Sequence, residues 1–148
     1  EHEAFDAKSM TVFTCDATET SLTDNIPAES LDMASLMFVL SAMHPNKMHR
    51  AVLNVAAVLK PGAIVIFRDY GMYDEAMLRF KSGAKLADRF YVRNDGTRAF
   101  YFDLNEAEAL FRRCGLTVVH AEYAKREVVN RKEQKTMNRI FVQMVLRK

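Results

Sequence analysis

The stretch "VLKPGAIVIFRDYG", residues 58–71, opens as the end of a helix and turns through Lys60-Pro61-Gly62. It then runs through Ala63, Ile64, Val65, Ile66 and Phe67 to close on Arg68, Asp69 and Tyr70. A short apolar run bounded by turn residues predicts a strand buried on both faces, the texture of a parallel sheet covered by helices. Upstream, residues 47–59 place Met48, Ala51, Val52, Val55, Ala56 and Leu59 at helical spacing, and the Pro-Gly pair stops that helix. Before it, "LDMASLMFVLS" (31–41) is apolar on both faces over most of its length and predicts another buried strand. Strand, helix and strand in this order imply a right-handed parallel crossover in an α/β sheet.

Farther out, "MTVFTC" (10–15) is β-branched and apolar and predicts a strand. Residues 74–86 have the pattern of a short helix with Ala76, Met77, Phe80 and Leu86 as apolar positions, broken at Gly83. Two aromatic-rich runs in 89–102 flank Asn94-Asp95-Gly96, a strong hairpin signal. Residues 104–115 predict a helix with Asn105 as N-cap, early acids, late arginines and Gly115 at its end. Finally, 116–129 and 138–148 are apolar strand patterns on either side of the charged segment 130–137, and predict an antiparallel pair. The expectation is a single domain over 1–148 with a hairpin insertion at 89–102.

A chain of 148 residues with 49% hydrophobic and 27% charged residues has the composition of a folded domain with a sizeable core. No stretch approaches the ~20 apolar residues of a membrane span, and "EHEAFDAKSM" lacks the basic-then-apolar profile of a signal peptide. A cytoplasmic setting is expected, with the nucleus and the mitochondrial matrix as alternatives. Cys15 and Cys114 lie outside any C-x-x-C spacing and predict free thiols rather than a disulfide or a metal site. Residues 1–46 carry eight acids against one base, net −7, whereas the rest carry 20 bases against 11 acids, net +9. A polyanionic partner would meet the second part of the chain.

Parallel strands followed by a terminal antiparallel pair, with "LKPGA" before a central strand, are similar to the second half of Rossmann-like S-adenosylmethionine-dependent methyltransferases. The longer strings "FVLSAMHPNKMHRAVLNVAAVLKPG", "FRDYGMYDEAMLRFK" and "FYVRNDGTRAFYF" resemble the methyltransferase-like family that makes 3-methylcytidine in transfer RNA. The likeness runs from about Val12 to the C-terminus. It implies an α/β Rossmann-like methyltransferase sheet with a C-terminal antiparallel pair, S-adenosylmethionine as cofactor, and methylation of cytosine N3 in a tRNA anticodon loop. No G-x-G turn occurs in the sequence, although methyltransferases of this fold begin with a strand ending in such a turn. The expectation is therefore an incomplete sheet, the C-terminal portion of a catalytic domain lacking the first two strands and the glycine-rich turn. Alone, it is expected to bind cofactor weakly or not at all, to be inactive, and to self-associate through exposed sheet edges.

The resemblance implies that Asp16 and Ala17 in "TCDATE" hold adenine, the carboxylate accepting from the exocyclic amine and the next N–H donating to a ring nitrogen. Without it, Asp16 is equally well a cap of the following turn. Met37 is implied to lie along the adenosine; on residue pattern alone it is a core methionine. Ser41 and His44 follow the same strand, with His44 placed to cap the next helix. Ligands of parallel sheets bind beyond the carboxyl ends of the strands, which puts Arg68, Asp69 and Tyr70 at the lip of a site. Cytosine N3 carries an in-plane lone pair, so its methylation needs alignment and a preorganised carboxylate near the emerging cation rather than a strong base. Asp69 is the candidate carboxylate, Tyr70 the candidate stacking residue, and Arg68 a phosphate contact or the group that orients Asp69. An Arg–Asp pair closing the strand is the structural alternative.

Segment 79–98 interleaves Arg79, Lys81, Lys85, Arg89, Arg93 and Arg98 with Phe80, Phe90 and Tyr91, the mixture an RNA loop demands, with Arg93 and Arg98 as the leading substrate contacts. The run Arg131-Lys132-Glu133-Gln134-Lys135 is a weaker candidate. The expected partners are tRNA and a helper such as an aminoacyl-tRNA synthetase. A non-catalytic RNA- or partner-binding domain and a small-molecule methyltransferase are the rival functions.

Overall fold

The computed structural model describes residues 6–130 and 135–148. Why "AIVIF" becomes a central strand is visible in its pairing. Strand β1 (Leu31–Met37) runs parallel to β2 (Leu59–Tyr70), in a register that sets Met37 opposite Arg68. On the other side β2 pairs antiparallel with β7 (Lys135–Arg147), which pairs antiparallel with β6 (Thr117–Asn130), giving the order β1-β2-β7-β6. The connection from β1 to β2 is α1 (Met48–Val58), and the six apolar positions expected at helical spacing over 47–59 are all buried. A second sheet, β3-β4-β5, is built from Lys85–Ala87, Phe90–Val92 and Arg98–Phe100. Its β4–β5 hairpin turns at Asn94-Asp95-Gly96, where Gly96 adopts φ +81°, a conformation that strains any residue with a Cβ.

Period-two alternation sorts β2. Val65, Phe67 and Asp69 point to the face covered by α1 and by α3 (Leu104–Arg113), while Ile66, Arg68 and Tyr70 point to the other. On the covered face Phe67 packs edge-on against Phe111 of α3 at 4.9 Å and against Phe102 at 5.5 Å. Val142, Met144 and Leu146 of β7 complete that core. Beyond the strand, Gly71 lies so close to β7 that a Cβ would meet Ile140 Cγ2 at 3.0 Å.

Several expectations are corrected. Residues 10–15 form no strand, because among the described residues no strand lies alongside to satisfy their backbone, and Met10 to Thr14 are exposed. The strand expected over 31–41 stops at Met37. Phe38 turns the chain through φ +57°, and a 3-10 turn, Leu40–Ala42, follows. Among the described residues β1 is not covered on both sides, with Met33 58% and Met37 46% exposed. The helix expected over 74–86 is a single turn, α2 (Glu75–Leu78), followed by the 3-10 turn Ser82–Ala84 and β3. The cap of α3 is Asp103, whose Oδ1 accepts from the N–H groups of Asn105 and Glu106. The final strands extend into the predicted loop, to Asn130 and from Lys135. No helix among the described residues is long and apolar enough to cross a membrane.

Phe111→Ala removes a fully buried ring from the Phe67 contact and is expected to destabilise by about 3 to 5 kcal/mol. Leu53→Ala, at an exposed site of α1, is expected to stay within about 0.5 kcal/mol. Urea denaturation midpoints of the two variants check the contrast.

Candidate active site

The tip of β2 divides its polar residues between the two faces. Asp69 is 0% exposed. Its Oδ2 accepts from the Ser41 N–H at 3.0 Å and its Oδ1 from the Tyr70 N–H at 2.9 Å, so the carboxylate ties β2 to the turn that follows β1. Burial pushes its pKa above the usual carboxylate value, against the opposing pull of the Ser41 and Tyr70 hydrogen bonds and of the Arg93 charge. Arg68, on the opposite face, donates from Nη1 to Gln143 Oε1 at 2.9 Å and lies 4.6 Å from the Phe141 ring centroid. It neither orients Asp69 nor forms an ion pair with it, because successive strand residues diverge.

Tyr70 is the hub of the Arg68 face. Its ring lies 5.1 Å from Phe38, 5.7 Å from Tyr101 and 6.3 Å from Phe141. Two guanidinium groups approach it, Arg93 at 5.0 Å and Arg139 at 5.7 Å. Phe38 reaches the ring because its left-handed backbone turns the chain while its N–H still donates to Arg68 O at 2.8 Å. Beside this cluster opens a cavity of 770 Å³ lined by Tyr70, Phe80 and Tyr101 together with Arg79, Lys81, Arg93 and Arg139. Among the described residues, all the charged ones lining it are cations. Phe80 stacks on Tyr91 at 4.6 Å along one side, and burial raises the Tyr101 pKa, so that phenol stays neutral.

Asp16 and Arg98 meet elsewhere, in a 310 Å³ cavity with Thr18, Ala42, Met43, His44 and Lys47. Asp16 Oδ1 accepts from the Thr18 N–H at 2.9 Å and the Thr18 hydroxyl at 2.7 Å, the turn cap considered above. The Thr18 hydroxyl and N–H lower its pKa in that order. The described bonds use Oδ1 alone, so Oδ2 remains for the exocyclic amine of an adenine, and the half-exposed Ala17 follows it. Ala17 lines a different cavity, with Arg50 and Asn54, and Met37 is not among the residues lining the Asp16 cavity, so the structure brings only Asp16 of the three to it. Ala17 O is held by Asn54 Nδ2 at 3.1 Å, which fastens the segment to α1. Met37 ends β1 half-exposed. His44 caps the next turn, its Nδ1 accepting from the Asn46 N–H at 3.3 Å. The smaller cavity is lined by Ala42, Met43 and His44 of the stretch whose Phe38 packs on Tyr70 of the larger one, and the hairpin supplies Arg93 to one cavity and Arg98 to the other.

No family model matches the chain. Over all 148 residues it is 51% identical to the tRNA N(3)-cytidine methyltransferase METTL6 of Rattus norvegicus, and covers 52% of that protein. Over 147 residues it is 42% identical to the tRNA N(3)-cytidine methyltransferase METTL2 of Bos taurus, covering 39% of it. The chain is homologous throughout to tRNA N(3)-cytidine methyltransferases. It spans about half the length of the METTL6 relative. A solved SAM-dependent methyltransferase of Methanosarcina mazei matches 90% of the chain with TM-score 0.66 at 18% identity, covering 64% of that structure. The fold is the Rossmann-like α/β fold of methyltransferases.

Sequence reasoning about this methyltransferase homologue missed Phe38, Asp74 and Arg139. Asp74 heads "DEAML" as an Asx cap of α2, a local signal that was available. Arg139 shares strand parity with Phe141 and Gln143, but its face is decided only by pairing with β2. The basic run at 131–135 falls outside the described residues except for the backbone of Lys135.

Because the folded pKa of Asp69 is raised, the native state binds its proton more tightly than the unfolded chain. Stability at this site is therefore greatest below the ordinary carboxylate pKa and falls as pH rises through the window up to the raised value. Asp69→Asn removes that dependence. The difference in thermal midpoint, variant minus wild type, is expected to increase with pH across this window.

Proposed function

We propose that the complete protein carrying this chain is a tRNA methyltransferase that transfers a methyl group from S-adenosylmethionine to cytosine N3 in the anticodon loop. The observation that carries the proposal is the 770 Å³ cavity, cationic and aromatic, at the strand tips of a chain homologous throughout to tRNA N(3)-cytidine methyltransferases. RNA recognition asks for such a mixture, since guanidinium and ammonium groups neutralise phosphates while rings hold unstacked bases. Both cavities lie where parallel-sheet proteins bind ligands, beyond the carboxyl ends of β1 and β2.

Asp16, Ala17 and Met37 would hold the cofactor, which when bound supplies a methyl group activated by its sulfonium. The chain's own residues act by alignment. Tyr70, braced by Phe38, Tyr101 and Phe141, provides a wall for the extruded base. Its π-face favours the cation that N3 methylation creates. The cytosine lone pair needs no base to expose it, so rate comes from holding N3 in line. Asp69, fully buried, is assigned as a positioning residue that fixes the Ser41 turn between the cofactor residues and Tyr70. Arg93 and Arg98 hold RNA on either side of the hairpin, and Arg68 braces Phe141. The expected cytoplasmic setting remains part of this proposal.

The complete protein, an anticodon stem-loop RNA and isotope-labelled S-adenosylmethionine provide the test, with digestion to nucleosides and mass spectrometry. Labelled 3-methylcytidine is expected, and Tyr70→Ala should lower kcat/KM by about 100-fold through misalignment. Label in 5-methylcytidine, or none in the RNA, contradicts the proposal.

A further inference from the structure

Asp74 and Arg139 have no part in the reaction described above, yet they form the most completely organised ion pair near the large cavity. Asp74 is 0% exposed. Its Oδ1 accepts from the Ala76 N–H at 2.9 Å, and its Oδ2 from the Ile140 N–H at 2.8 Å. Both oxygens receive Arg139 Nε, at 3.2 and 2.9 Å. Among the described residues, that single nitrogen is the only guanidinium atom in a hydrogen bond. An arginine paired to a carboxylate commonly spends two nitrogens in a parallel fork. Here the carboxylate grips the inner nitrogen, and the terminal pair is left at the end of a side chain that lines the cavity.

The guanidinium is also fixed laterally, 5.3 Å from the Phe141 ring centroid and 5.7 Å from that of Tyr70. The other cations lining the cavity are held differently. Arg79 pairs with Glu75 one helical turn away, and Arg93 donates to Thr97 Oγ1 at 3.3 Å within its own hairpin. Arg139 is thus a cation ordered before any ligand arrives, which spares the entropy of immobilising a long side chain on binding. Two unspent parallel N–H groups match the two non-bridging oxygens of a phosphodiester.

We propose that Arg139 is the fixed cation of a phosphodiester subsite in this cavity, receiving a backbone phosphate next to the nucleotide seated on Tyr70, and that Asp74 is the positioning residue that aims it. The subsite rests on the RNA reading of the cavity. Lysine cannot replace Arg139, because one ammonium cannot both satisfy Asp74 and present a planar fork.

The test uses the complete protein with a fluorescein-labelled anticodon stem-loop RNA, titrated by anisotropy at a series of salt concentrations. Arg139→Lys keeps a cation beside Asp74 and so protects the fold. It is expected to weaken RNA binding about tenfold and to make the slope of log affinity against log salt shallower by about 0.7 to 0.9, the value of one phosphate contact. It should raise KM for RNA more than it lowers kcat. Asp74→Asn should move KM in the same direction. A lysine variant with wild-type affinity and slope overturns the subsite, as does one whose thermal midpoint falls while its slope is unchanged, since that marks a purely structural pair. Polyglutamate that displaces the RNA with the same dependence on Arg139 also overturns it, by making the site a dock for acidic peptides. If the slope depends on Arg139 but no 3-methylcytidine is formed, the subsite stands and the methylation proposal falls. A complete protein with no affinity for the RNA overturns both.

Discussion

The alternation of β2 is the constraint on which the rest depends. Four apolar residues, Ile64 to Phe67, pair with a parallel strand on one side and an antiparallel strand on the other, and this double pairing leaves no freedom in which face each side chain takes. Phe67 then belongs to the helix-covered core and Asp69 must follow it inward, while Arg68 and Tyr70 face outward into a cluster of rings and guanidinium groups. A one-residue slip would bury Arg68 and expose Phe67, losing the core and the cluster together.

From that tip the chemistry spreads through two connecting elements. The stretch 38–44 starts with Phe38 against Tyr70, passes Ser41 on Asp69 and ends at His44 beside Asp16. The β4–β5 hairpin carries Arg93 to one cavity and Arg98 to the other. Charge is divided in the same sense. The cavity cations all come from the basic part of the chain after residue 46, whereas Asp16 belongs to the acidic first part.

The elements legible in the sequence were those whose stability is local or strongly periodic. The spacing of Met48, Ala51, Val52 and Val55 announces α1, and Asn94-Asp95-Gly96 announces the hairpin, because in each case neighbouring residues impose the geometry. The 10–15 segment has strand composition, but a strand exists only with a partner, and none lies beside it among the described residues. Residues 74–86 carry helical spacing, but Lys81 and Gly83 bring the chain into a 3-10 turn and a short strand of the second sheet. For the site, the positions of Tyr70 and Arg93 followed from strand ends and basic-aromatic patterning. The Asp74–Arg139 pair arises from a contact 65 residues apart that no local pattern encodes, whereas the separation of Arg68 from Asp69 follows from strand alternation once the segment is a strand.

The central claim is spatial: the target base lies on the Arg68 face of the β2 tip, against Tyr70. An anticodon stem-loop RNA with 5-iodocytidine at the target position, photo-cross-linked to the complete protein and mapped by peptide mass spectrometry, measures this directly. Adducts at Tyr70, Phe38 or Tyr101 are expected. Adducts confined to the exposed side of α1 around Leu53, or to β6, would contradict it.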